Sequence, residues 1–68
     1  MNFTDLRLKT GLSVQEVSTK LKLSPATIYR YEKDGRIPTK TILKKIINLY
    51  NCTPTELGEA IFKNLEVK

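Results

Sequence analysis

Apolar residues recur every three or four positions along most of the chain, which is the spacing that places side chains on one face of an α-helix. The pattern divides into five short segments, and none of them alternates apolar and polar residues as a half-buried strand would. Each segment follows a residue of a type that commonly caps a helix N-terminus; these are Asn2, Ser13, Ser24, Thr39 and Thr53. We therefore predict an all-α fold of five short helices in one domain over residues 1–68.

The start and stop signals set the approximate bounds of these helices. Gly11 ends the first helix, and Gly35 and Pro38 stop the third. Glu16 and Glu56 follow the caps of the second and fifth helices by three residues, which predicts a capping box in each. The fourth helix is apolar enough to be the central core element, with Ile42, Leu43, Ile46, Ile47 and Tyr50.

The third helix, after Ser24 and Pro25, has two different faces. At about 100° per residue, Ile28, Tyr31 and Glu32 share the inward side. The outward side and its flanks carry one arginine, one lysine, a small residue and hydroxyls, namely Ala26, Thr27, Tyr29, Arg30 and Lys33. Such a face suits the major groove of DNA, because arginine binds both acceptors of a guanine edge and methyl groups meet the thymine methyl. Together with the preceding short helix it has the form of a helix-turn-helix.

The net charge of +5 is concentrated in the middle of the chain. Residues 20–45 hold eight basic and two acidic side chains, whereas residues 1–19 are neutral and residues 46–68 carry a net charge of −1. A positive zone on a small domain favours a polyanionic partner, although an ordinary solvated surface would have the same composition.

The residue types present exclude several other functions. With one cysteine and no histidine, the chain has neither a disulfide framework nor the usual ligands of zinc. Cys52 has no basic neighbour that would activate its thiol, so we interpret it as a small buried apolar residue. We expect no enzymatic activity, no metal and no cofactor. No apolar run approaches a membrane span, and no secretion signal precedes the first helix, so we expect a cytoplasmic protein.

Residues 6–57, about three quarters of the chain, resemble the phage Cro and CI repressor type of helix-turn-helix protein, also called the XRE type. Three features at a common spacing carry the resemblance: Gly11-Leu12-Ser13, the segment IYRYE within the third helix, and the segment from Asn51 to Leu57. The resemblance implies a lambda-repressor-like domain whose second and third helices form the helix-turn-helix. It also implies a regulator that binds double-stranded DNA, usually as a symmetric dimer on a palindromic operator.

The resemblance further implies individual roles. Base contacts fall on the third helix, at Pro25, Ala26, Thr27, Tyr29 and Arg30. Phosphate contacts fall on Gln15 and on the segment after the third helix, at Lys33, Gly35, Arg36, Thr39 and Lys40. Arg7 and Glu32 occupy the positions of a structural ion pair that ties the first helix to the third.

Two positions depart from the pattern of that family. The turn after the second helix usually carries glycine in a left-handed conformation, but the matching residue here is Lys22. We expect a strained or shifted turn, because this conformation costs a non-glycine residue about 1–2 kcal/mol. The phosphate-binding glutamine that usually follows the cap of the second helix is replaced by Val14, with Gln15 one place later.

The C-terminal end is expected to serve in assembly. Apolar residues near it exceed what a small monomer can cover, which predicts a two-fold dimer through Ile61, Phe62 and Leu65. Residues 63–68 are expected to be either frayed or part of this dimerising tail. If the 68 residues are the whole protein, there is no room for a sensing domain or a small-molecule site, which favours a Cro-like repressor over a CI-type repressor.

Two alternatives remain open at the level of the sequence. The same fold serves as a protein-interaction module in antitoxins and antirepressors. The segment YRYEKDGRIP is also similar to the sequence before the wing of excisionase-like and MerR-like DNA binders. The apolar spacing of TKTILKKIINLY, however, favours a helix over the hairpin of a wing.

Overall fold

The computed structural model describes residues 1–66, which form five α-helices and no strand. The helices are α1 (Phe3–Thr10), α2 (Val14–Leu21), α3 (Pro25–Lys33), α4 (Lys40–Tyr50) and α5 (Pro54–Leu65). The prediction of an all-α fold with five helices is confirmed for this part of the chain. Of the predicted tail at 63–68, residues 63–65 belong to α5, and Val67 and Lys68 lie outside the described residues.

Each helix begins with a side-chain cap. In every case the side-chain oxygen of the cap residue accepts a hydrogen bond from the backbone N–H three residues later; the caps are Asn2, Ser13, Ser24, Thr39 and Thr53. Glu16 and Glu56 complete capping boxes by accepting from the N–H of Ser13 and of Thr53, each at 2.9 Å. These backbone hydrogen bonds stabilise the carboxylates and lower the pKa of Glu16 and of Glu56.

The core lies where all five helices meet. Phe3 of α1 and Tyr31 of α3 pack with their ring centroids 6.5 Å apart. The other buried apolar side chains are Leu6, Val17, Leu21, Ile28, Ile46, Tyr50, Cys52, Leu57 and Ala60. Cys52 is buried and free, as the sequence predicts, and burial raises the pKa of its thiol. None of the helices within residues 1–66 is long and apolar enough to cross a membrane.

Residues 40–50 form α4, where an excisionase-like or MerR-like domain would have its wing. Ile46 and Tyr50 of this helix are buried, while Ile42, Leu43 and Ile47 pack partly buried against the core. The helical interpretation of this segment is therefore correct.

The turn between α2 and α3 keeps the left-handed residue that the family pattern expects. Lys22 lies at φ 57° and ψ 42°, and its N–H and that of Leu23 close the end of α2 on the carbonyls of Thr19 and Ser18. The turn is thus not shifted. Lys22 adopts this strained left-handed conformation because the turn must bring α3 back against α2. A glycine at this position would adopt it without strain.

We expect Lys22→Gly to stabilise the domain by about 0.5–1 kcal/mol, because relief of the left-handed strain outweighs the greater freedom of glycine in the unfolded chain. Urea unfolding of both proteins measures the difference. The matched control is Lys20→Gly, since Lys20 is an exposed residue inside α2. There glycine should destabilise by about 1 kcal/mol. Equal effects at the two positions would contradict the assignment of strain to Lys22.

Candidate nucleic-acid interface

Helices α2 and α3 form a compact pair joined by the three residues 22–24. They pack against each other more extensively than any other two helices of the described chain. The contact buries Val17 and Leu21 of α2 and Ile28 of α3. Because the apolar side of α3 is used in this way, its opposite side is presented to solvent.

The exposed side of α3 carries the residues that the sequence assigns to base contacts. Pro25, Ala26, Tyr29 and Arg30 are exposed, and Thr27 is half-buried at the first turn. The hydroxyl of Thr27 lies 3.0 Å from that of Ser24, so it belongs partly to the helix cap. Within residues 1–66 the guanidinium of Arg30 has no hydrogen-bond partner, which leaves all its donors available.

Tyr29 stands at the edge of this face. It is 47% exposed, and the ammonium of Lys33 lies 5.7 Å from the centre of its ring, within the range of a cation–π contact. The two residues line an open cleft of about 540 Å³, together with Gln15 at the start of α2 and Pro25. The structure therefore brings the predicted contact residue of α2 next to those of α3.

The segment after α3 holds the predicted phosphate contacts on a defined loop. The N–H groups of Asp34 and Arg36 both bond to the carbonyl of Arg30, at 3.1 and 3.2 Å, and Gly35 provides the left-handed residue at φ 74°. This turn reverses the chain at the end of α3. The side chains of Lys33 and Arg36 are exposed on it.

The loop leads directly into the start of α4. Thr39 and Lys40 are both exposed there, and Thr39 caps α4 by accepting from the N–H of Ile42 at 3.4 Å. Basic and hydroxyl groups thus continue from the end of α3 to the first turn of α4. Gly35 is half-buried and has no side chain, so a phosphate contact at this position would use its backbone.

Arg7 and Glu32 lie together beneath this surface. Nε of Arg7 donates to Oε2 of Glu32 at 2.8 Å and Nη2 to Oε1 at 3.2 Å, while Nη1 donates to the carbonyl of Leu12 at 3.0 Å. The hydroxyl of Thr4 donates to the same Oε1 at 3.1 Å. The Glu32 side chain is only 2% exposed, and its hydrogen bond to Arg7 raises the pKa of the guanidinium.

Sequence reasoning missed Thr4 and Asn64. Asn64 is buried, and its amide nitrogen donates to the carbonyls of Tyr31 and Arg36 at 2.8 and 2.9 Å. A signal for Asn64 is present in the sequence, because it follows Leu57 by seven residues and so falls on the apolar face of α5. A polar residue at such a position needs a partner, but the sequence does not identify the partner.

The apolar residues near the C-terminus divide into two groups. Ile61 is partly buried against the core. Phe62 and Leu65 are 71% and 64% exposed. If the predicted dimer forms through α5, its contacts therefore depend mainly on Phe62 and Leu65.

Within residues 1–66, no cluster of three or more acidic or cysteine side chains could hold a metal ion. The packed pair α2 and α3, the short turn and the basic exposed face instead define a helix-turn-helix DNA-binding domain. A family model described as helix-turn-helix matches residues 4–57, so the chain belongs to the XRE-type helix-turn-helix family. This is a family of DNA-binding transcription regulators and not of enzymes. Comparisons with curated proteins and with solved structures found no match.

Proposed function

We propose that the chain is a Cro-like repressor that recognises a specific operator in the major groove with α3. The exposed face of α3 carries this proposal, because Ala26 and Arg30 are exposed on it and Thr27 lies half-buried at its first turn. The free guanidinium of Arg30 suits a bidentate contact to O6 and N7 of a guanine. The methyl groups of Ala26 and Thr27 suit contact with thymine.

Phosphate contacts on both sides of α3 would fix its orientation in the groove. Gln15 and Lys33 line the cleft at one side of α3. Arg36, Thr39 and Lys40 continue the positive surface beyond its C-terminus. Lysine and arginine at such positions release counterions from DNA, which supplies affinity without base information.

The proposed repressor acts as a two-fold dimer on a palindromic operator. Phe62 and Leu65 supply an exposed apolar surface on α5 that a second copy would cover. Two copies related in this way would read half-sites about 34 Å apart, one turn of DNA. The proposal implies a location beside DNA, in the cytoplasm of a bacterial cell or of a phage-infected host, and requires no small-molecule ligand.

Selection of bound duplexes from random DNA tests the proposal directly. The expected result is a palindromic consensus with at least one guanine in each half-site. A pool that remains random after repeated rounds would contradict sequence-specific binding. A strong consensus without two-fold symmetry would retain specific recognition but contradict the dimer.

Arg30→Ala should relax specificity at one base pair of each half-site, because Arg30 is the residue of the exposed α3 face that suits a bidentate contact to guanine. The loss of discrimination should be about 1–3 kcal/mol at that base pair. Binding to duplexes that carry each of the four bases at this position measures it. The control Lys40→Ala should weaken binding to all duplexes alike. Uniform weakening by Arg30→Ala as well would make Arg30 a phosphate contact.

A further inference from the structure

Asn64 connects the C-terminal helix to the end of the recognition helix. Apart from the Glu32 side chain in its ion pair, two polar residues are buried among the described residues, Ser18 and Asn64. Ser18 bonds within its own helix, to the carbonyl of Gln15 at 2.8 Å. Asn64 instead directs its amide at a distant part of the chain, the carbonyls of Tyr31 and Arg36. This amide bridges the last full turn of α3 and the loop that follows it.

The bridge completes the support of the loop at Arg36. The N–H of Arg36 is already held by the carbonyl of Arg30 at 3.2 Å, and its carbonyl is held by Asn64 at 2.9 Å. The same amide nitrogen bonds the carbonyl of Tyr31 at 2.8 Å. The backbone of Arg36 is therefore held on both sides, while its side chain projects into solvent.

We propose that Asn64 is a positioning residue for DNA binding, which holds the loop after α3 so that Arg36 meets a phosphate when α3 enters the groove. The inference rests on the proposed function and adds to it a residue that does not touch DNA. A loop fixed before binding loses little conformational freedom on contact, so its phosphate contact contributes more affinity. The effect is expected at the phosphate contact and not in base reading.

The position of Asn64 also connects this loop to assembly. Phe62 and Leu65, the exposed apolar residues of α5, lie two residues before and one residue after it. A second copy that covers them would restrain the end of α5, and with it the carbonyl partners of Asn64. Dimer formation would then reduce the conformational freedom of the phosphate-binding loop in each subunit.

The test compares wild type with Asn64→Ala and with Asn64→Asp, which keeps the shape but has no amide donors. The matched control is Asn48→Ala, the same change at an exposed position of α4. Affinities for a selected duplex and for a random duplex are measured over a range of salt, at a temperature where circular dichroism shows every variant folded. Amide hydrogen exchange at residues 34–37 of the free proteins is the second measurement.

Both Asn64 variants should lower the slope of log affinity against log salt by about 0.9 per subunit, which corresponds to one lost phosphate contact. Base preference should stay as in wild type, and exchange at residues 34–37 should rise relative to the core. Asn48→Ala should match wild type in every measurement.

If the folded Asn64 variants keep the wild-type slope of log affinity against log salt, the inference is overturned. Weaker binding without a change in this slope would reflect only lower stability. Unchanged exchange at residues 34–37 would also overturn it. If wild type itself binds no duplex, the proposed function fails and this inference fails with it. If wild type binds DNA and the Asn64 variants bind it equally well, the inference is overturned but the proposed function is not.

Discussion

Arg7→Ala is expected to destabilise the domain by about 3–5 kcal/mol, because it leaves the carboxylate of Glu32 buried without its cationic partner. The Glu32 side chain is 2% exposed, and Arg7 supplies two of the three side-chain hydrogen bonds that it accepts. A domain of this size has about 3–10 kcal/mol of stability in total. The variant should therefore be largely unfolded at 37 °C, which a thermal melt followed by circular dichroism would show.

Two controls separate the buried charge from a general effect on α1. Lys9→Ala removes an ion pair from the same helix, but the side chains of Lys9 and Glu56 are 53% and 25% exposed, so the melting temperature should change little. The double variant Arg7→Met with Glu32→Met replaces both charges by apolar groups and should recover most of the lost stability. If the double variant is as unstable as Arg7→Ala, the loss comes from packing around Arg7 and not from an isolated carboxylate.

Phe62→Glu is expected to abolish dimer formation and to weaken binding to a full operator by a factor of about 10²–10⁴, because the two half-sites would then be bound independently. Phe62 is 71% exposed in the single chain, so the change should leave the fold intact. Analytical ultracentrifugation gives the oligomeric state. Titrations of a full operator and of a single half-site give the two affinities, and the half-site affinity should be nearly unchanged.

Leu8→Glu is the matched control for this experiment. Leu8 is also an exposed apolar residue, at 61%, but it lies on α1 outside the proposed interface. The same charge placed there should leave the dimer and the operator affinity as in wild type. A wild-type protein that is monomeric both free and on operator DNA would contradict the dimer altogether. Equal losses from the two variants would indicate a general effect of negative charge near DNA.

The sequence predicts the helices well because their determinants are local. Each cap and its backbone partner lie three residues apart, so a short segment such as Ser13 to Glu16 contains both halves of the interaction. The faces of α3 follow equally from helical spacing, which puts Ile28 inside and Arg30 outside. Fold class and the orientation of the exposed face are therefore accessible before any tertiary contact is known.

Contacts between distant segments were less accessible. The partners of Asn64 lie 33 and 28 residues away, and that of Thr4 lies 28 residues away, so no local pattern links them. The spacing of α5 also did not separate Ile61, which packs partly buried against the core, from the exposed Phe62, because at the edge of an apolar face burial is decided by the neighbouring helices. Lys22 shows a related limit, since the tertiary requirement for a left-handed turn overrides its own conformational preference.

The separation of the two faces of α3 has a consequence for how such a protein changes over generations. Ala26 and Arg30 are exposed, while the stability of the helix depends on Ile28, Tyr31 and the buried carboxylate of Glu32. Surface substitutions away from buried or capping groups usually change stability by less than about 0.5 kcal/mol. If α3 reads DNA as proposed, point mutations at positions 26 and 30 would redirect the protein to new operators at little cost to folding, so that close relatives with one scaffold would serve separate genetic circuits.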